Sequence, residues 1–92
     1  PDLPRRSMVA QKLDVHGLRT DEALPLIDKY LDDAYLAGHS QVWILHGKGT
    51  GILREEIRKH LKNHPHVSGV VPSPEHTVVV LRNEVLKALE NN

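Results

Sequence analysis

Along this chain the spacing of apolar residues switches from every second position to every third or fourth and back again, an alternation that few architectures accommodate. From Val9 to His16 the residues alternate, with Val9, Gln11, Leu13 and Val15 on one side and Ala10, Lys12, Asp14 and His16 on the other, which predicts a strand. Apolar positions then recur at Ala23, Leu24, Ile27, Tyr30, Leu31, Ala34 and Tyr35, which predicts an amphipathic helix closed by Gly38. Thr20 is the expected N-cap, Asp21 and Glu22 suit the positive end of the helix dipole, and Pro25 interrupts the early turns. Val42 to Leu45 is an unbroken apolar run, expected to be a central strand buried on both faces. A second helix is expected to start near Thr50 and to carry Leu53, Ile57 and Leu61 before Pro65 stops it. Val67 to Val71 and Thr77 to Leu81 read as two more strands, and Glu84 to Glu90 as a short terminal helix. The order βαβαββ requires a parallel pair joined by a right-handed crossover, hence an α/β two-layer sandwich.

At 92 residues the chain fits one domain, with residues 1–11 expected as a linker or disordered N-terminal segment, 12–82 as the folded unit and 83–92 as a short helix or tail. It begins with Pro1, and the prolines and basic pair near its start read as part of a longer parent chain with upstream domains. There is no cysteine, which excludes a disulfide framework and a thiolate metal site and fits a reducing, cytoplasmic setting. No apolar run is long enough to cross a bilayer, so no membrane partner is expected. With no Phe and only Trp43, Tyr30 and Tyr35, the core must be aliphatic and a platform for stacking bare bases is not expected. Net charge is zero but unevenly spread. Thr20 to Tyr35 holds five acids against Lys29, whereas Lys48 to Lys62 holds five bases against Glu55 and Glu56. One side of the molecule can therefore attract phosphates while the other repels them.

In an open α/β sheet ligands bind beyond the carboxyl ends of the strands, where loop and helix-start N–H groups point. Two such ends carry unusual residues, Leu13-Asp14-Val15-His16-Gly17 and His46-Gly47-Lys48-Gly49-Thr50-Gly51. Glycines at alternate positions let the backbone take positive φ and come close to an anion, Lys48 adds a full charge, and Thr50 can cap the helix or donate to a phosphate oxygen. The loop lacks the spacing of a nucleotide-binding Walker loop. Asp14 and His16 are candidates for a general base, a metal ligand, or a carboxylate that orients an imidazole, with His46 as the acid partner. His60 and His64, four apart, could share a metal but have no third ligand of known position.

Those two motifs, together with Glu22-Ala23, Leu31-Asp32-Asp33-Ala34 and Leu53-Arg54, resemble the small MutS-related (Smr) domain, in particular the version at the carboxy end of the second class of bacterial MutS-like ATPases. The likeness runs from about Lys12 to Arg82. It implies a fold similar to the carboxy-terminal domain of translation initiation factor three. It also implies nicking of branched or structured DNA, or cleavage of RNA, in DNA recombination or in ribosome rescue, with DNA, RNA or the ribosome as partners. The family's functional positions carry over as Asp14 and His16 in the first motif and as His46, Gly47, Lys48, Gly49 and Gly51 in the second. Asp14, His16, His46 and Lys48 are the expected catalytic set, and Gly47, Gly49, Gly51, Thr50, Arg19 and Arg54 the expected phosphate or nucleic-acid contacts. His16 stands where bacterial members commonly have Arg, and Pro72 to His76 replaces a glycine-rich stretch. Cleavage of RNA can use its 2′-hydroxyl as nucleophile and needs no metal, whereas nicking DNA needs an activated water. A single divalent ion, Mg or Mn, on Asp14 is the cofactor compatible with so few carboxylates, and binding without cleavage is the alternative reading.

Overall fold

The computed structural model describes residues 9–82. The terminal helix expected at Glu84 to Glu90 and the first eight residues of the expected linker lie outside that range. The element order is β1 (Lys12–Asp14), α1 (Thr20–Leu36), β2 (Gln41–Leu45), α2 (Ile52–Leu61), β3 (Val67–Pro72) and β4 (His76–Leu81), in a single four-stranded sheet of order β1-β2-β4-β3. β1 runs parallel to β2, and β4 is antiparallel to both its neighbours. This is the α/β sandwich that the apolar spacing predicts.

The core is aliphatic throughout. Ala23, Ile27, Leu31 and Ala34 form the buried stripe of α1, Ile57 and Leu61 that of α2, and both meet Val15, Val42, Ile44 and Val79 from the sheet. Each of the larger side chains contributes about 1.5–3 kcal/mol by leaving water. Pro25 does not delay α1, which starts at Thr20 and runs 17 residues. The proline is exposed, so the Asp21 carbonyl that it leaves without an N–H donor faces water. The helix ends in a Schellman turn: His39 donates to the Ala34 carbonyl and Gly38, at φ +85°, donates to that of Tyr35.

Four expectations need correction. Thr20 is the first helical residue and Arg19 takes the cap position, because the Glu22 carboxylate accepts the Arg19 N–H at 3.0 Å while the Arg19 carbonyl accepts from Glu22 and Ala23. α2 begins at Ile52, with Gly51 rather than Thr50 as cap at φ +86°. Residues 9–11 are tied to the fold and are not linker: the Val9 carbonyl accepts from His39, that of Ala10 from the Tyr30 hydroxyl, and that of Gln11 from the Trp43 N–H. β2 is buried on one face only. Val42 and Ile44 point into the core, whereas Trp43 and Leu45 stand half-buried on the opposite face, because both helices pack on the same side of the sheet.

Candidate active site at the strand tips

Parallel pairing sets Asp14 opposite Leu45, and the Val15 N–H continues the ladder to the Leu45 carbonyl at 2.8 Å. The two motifs therefore leave the sheet side by side. Gly47 approaches the first motif so closely that a Cβ there would lie 3.4 Å from Cβ of His16. All three glycines of the loop take positive φ, at +78° for Gly47, +38° for Gly49 and +86° for Gly51. A side chain at any of them would strain the backbone.

Asp14 and His16 form the sharpest geometry at the rim. Asp14 Oδ1 accepts from the His16 ring Nδ1 at 2.6 Å and from the His16 backbone N–H at 3.0 Å. With the Nδ1 proton held by the carboxylate, a neutral imidazole leaves its Nε2 lone pair free to accept a proton. The hydrogen bond from the His16 side chain, followed by that from its backbone, holds the Asp14 carboxyl below the usual carboxylate range, so Asp14 is ionised at neutral pH. Both side chains are open to solvent, at 67% for His16 and 48% for Asp14.

His46 is placed differently from its three partners. It is 5% exposed, and both ring nitrogens are engaged. Nδ1 donates to the Gly47 carbonyl at 2.9 Å, and Nε2 accepts from the Thr77 hydroxyl at 3.1 Å. Thr77 in turn accepts from Arg58 Nε at 3.1 Å, and Arg58 Nη2 donates to the Ser73 carbonyl at 2.8 Å. Burial pushes the His46 imidazole down from its ordinary value, which keeps it neutral. The expectation of His46 as an acid facing the ligand gives way to a positioning role: its ring is the buried strut that ties the glycine loop to β4 and α2.

Lys48 is exposed on the loop, its Nζ 3.5 Å from Glu75 Oε1. The backbone of Glu75 braces the same loop, its carbonyl accepting the N–H groups of both His46 and Gly47. Thr50 contributes a long contact of 3.4 Å from the Ile52 N–H to its hydroxyl. Arg19 lies at the start of α1 and is paired with Asp21 at 3.2 Å. Arg54 folds back over Gly51, where a Cβ would come within 2.6 Å of its Nη2. It lines a groove along α2 in which Arg58, Lys59 and Lys62 outnumber Glu55 and Glu56. Sequence reasoning missed Thr77, Arg58 and Glu75. Thr77 lies 31 residues from His46, and no local spacing signals their contact.

His60 and His64 do meet a third group, Asp28 of α1, at 2.7 Å and 3.6 Å. Among the described residues, however, no group of three His, Cys, Asp or Glu side chains is arranged to hold a metal ion. None of their helices is long and apolar enough to cross a membrane.

Comparison with known proteins gives a consistent picture. Residues 13–78 match the sequence profile of the Smr domain. The chain is 56% identical over 59 residues to the endonuclease MutS2 of Caldicellulosiruptor bescii, covering 64% of this chain and 8% of that protein. It is also 56% identical over 61 residues to the endonuclease MutS2 of Lachnoclostridium phytofermentans, covering 66% and 8%. The chain thus spans under a tenth of the length of these relatives. Among solved structures, the Smr domain of Thermus thermophilus MutS2 superposes with a TM-score of 0.77 at 38% identity, over 80% of this chain and all of that one. The SMR domain of NEDD4-binding protein 2 shares the fold, with a TM-score of 0.63 at 24% identity over 79% and 86% of the two chains. Since the profile spans both rim motifs and most of the chain, this protein belongs to the Smr domain family.

Proposed function

We propose that this chain is the nucleic-acid-cleaving module of a longer MutS-like protein, acting on phosphodiester bonds of branched or structured DNA, with structured RNA as the second substrate. The observation that carries the reading is the 2.6 Å Asp14–His16 pair standing beside a positive-φ glycine loop. In that reading Asp14 fixes the imidazole, His16 Nε2 takes the proton from the attacking hydroxyl, and Lys48 with the loop N–H groups stabilises the charge that builds on the phosphorane. His46 holds the loop in place and moves no proton. The exposed Lys48–Glu75 pair is weak enough for a phosphate to displace it.

On RNA the 2′-hydroxyl is the nucleophile: its oxygen bonds to phosphorus as the bond to the 5′-oxygen breaks, and the leaving 5′-oxygen takes its proton from water or from the Lys48 ammonium. On DNA the nucleophile is water, and a Mg or Mn ion would supply its activation. Such an ion needs only one or two protein carboxylates when phosphate oxygens and waters complete its shell, a requirement that exposed Asp14 fits once substrate is bound. The names of the MutS2 relatives support endonuclease chemistry.

The test is a nicking assay on branched DNA, duplex DNA and structured RNA, with and without Mg or Mn, using the wild-type chain, Asp14→Ala and Lys48→Ala. Cleavage lost in Asp14→Ala and weakened in Lys48→Ala is the expected result. Equal cleavage by all three would sink the assignment. The shortage of carboxylates at the rim favours a second reading, binding without cleavage, in which the wild type retains salt-sensitive binding but no turnover with any metal.

A further inference from the structure

The face of the sheet opposite the helices is not inert. Residues directly opposite one another across strands share a face. Two rows therefore cross it, Asp14–Leu45–His76 at the rim and Lys12–Trp43–Val78 behind it. Between β1, β2 and the start of β4 these rows enclose a pocket of about 400 Å³, lined by Gln11, Lys12, Trp43, Leu45 and His76. Its floor is apolar and aromatic, and an ammonium group stands at its edge.

We propose, building on the cleavage reading above, that this pocket receives an unpaired base of the nucleic-acid strand whose phosphate sits at the rim. Three observations carry it. The pocket is continuous with the rim, because Lys12 and Asp14 stand on the same side of β1, the His16 ring in the turn beyond pairs with Asp14, and His76 directly follows the Glu75 that braces the glycine loop. The two rows are about 7 Å apart along the strand, roughly one nucleotide of extended backbone, so a strand anchored by one phosphate at the rim delivers the neighbouring base over Trp43. The chemistry also fits: a flat apolar ring surface beside a cation is how bases are held without regard to sequence, and the half-open Trp43 supplies the one such surface that the scarcity of aromatics argued against. A paired duplex keeps its bases stacked inside and cannot fill the pocket. The site thereby selects unpaired strands, as found at junctions, flaps and loops.

Trp43 is the sole tryptophan, so its emission reports on the pocket directly. The 92-residue chain is titrated with a short single-stranded oligonucleotide, in DNA and RNA forms, with the same strand made abasic at successive positions, and with blunt duplex. The intact single strand should quench Trp43 emission and bind about tenfold more tightly than the abasic strand. Trp43→Leu should erase that difference while leaving the binding that phosphates alone provide. Equal affinity for intact and abasic strands, with Trp43 emission unmoved, would overturn the base pocket and leave the cleavage reading standing. Binding of none of these probes would overturn both. Shielding of Trp43 from iodide in the free chain would show the pocket already filled and would also overturn the proposal. Because the abasic comparison is made on the wild type, it does not depend on how the variant folds.

Discussion

Among the described residues histidine and carboxylate meet at two places, one beside the starts of the helices and one toward the opposite side of the fold. At the rim His16 pairs with Asp14 in the open, beside the glycine loop that carries Lys48. At the far end His60 and His64 close on Asp28, while His66 lies 3.3 Å from Asp32 and stacks flat on Tyr35 at 3.9 Å. The shortest contact in each place is alike, 2.6 Å at the rim and 2.7 Å between His60 and Asp28, but the surroundings differ. The far cluster joins α1, α2 and the turn that leads into β3, and the His64 side chain is only 7% exposed. Burial, the larger influence on its imidazole, outweighs Asp28 and pushes it down, toward the neutral form. It ties the second half of α1 to the end of α2. The rim pair instead stands in solvent beside a positive-φ glycine loop that carries Lys48, itself held in an exposed pair with Glu75. Under the proposed function, a histidine beside an acid is thus a structural brace at one place and a proton-transfer pair at the other, according to what else faces the same space.

That contrast can be broken by experiment. His16→Ala should cut cleavage by about 10²–10⁴-fold, the usual worth of a positioned base, with little change in thermal stability because the side chain is exposed. His60→Ala should do the reverse, lowering the melting temperature while cleavage per folded molecule holds; loss of activity in His60→Ala would erase the distinction. Thr77→Val tests the strut under the loop. It removes the hydroxyl shared by His46 and Arg58, and unfolding in urea should show a loss of about 1–3 kcal/mol. The pH dependence of stability sharpens the comparison further. His46 and His64 both have lowered imidazole values in the fold, so the unfolded chain binds protons that the folded one refuses. Stability should therefore fall as pH drops through the ordinary histidine value near 6.5 and level off below the lowered folded values. A melting temperature that rises from pH 7.5 to 5.5 would contradict the burial of these two rings. The smallest effect belongs to Glu75→Gln, which frees Lys48 from an exposed pair. It should tighten nucleic-acid binding by no more than about fivefold, as read by a filter or fluorescence titration.

Much of this was legible in the amino-acid order. Alternation at Lys12, Leu13 and Asp14 and the three-and-four spacing at Ala23, Ile27, Leu31 and Ala34 predict which residues face the core, because backbone geometry ties periodicity to one side of a strand or helix. The glycines at 47, 49 and 51 likewise announce a backbone at positive φ. What no spacing could reveal is which elements cover which face. Val42 to Leu45 reads the same whether helices flank it on two sides or one, and only the packing of both helices on a single side leaves Trp43 half-open. The role of His46 was hidden for the same reason, since its ring is locked by Thr77 and, through it, Arg58, partners brought in from distant parts of the chain. Local sequence determines conformation and polarity one element at a time through short-range sterics and hydrogen bonding. Burial and the hydrogen bonds that lock a side chain depend on atoms far along the chain, so they were decided only when the layers closed.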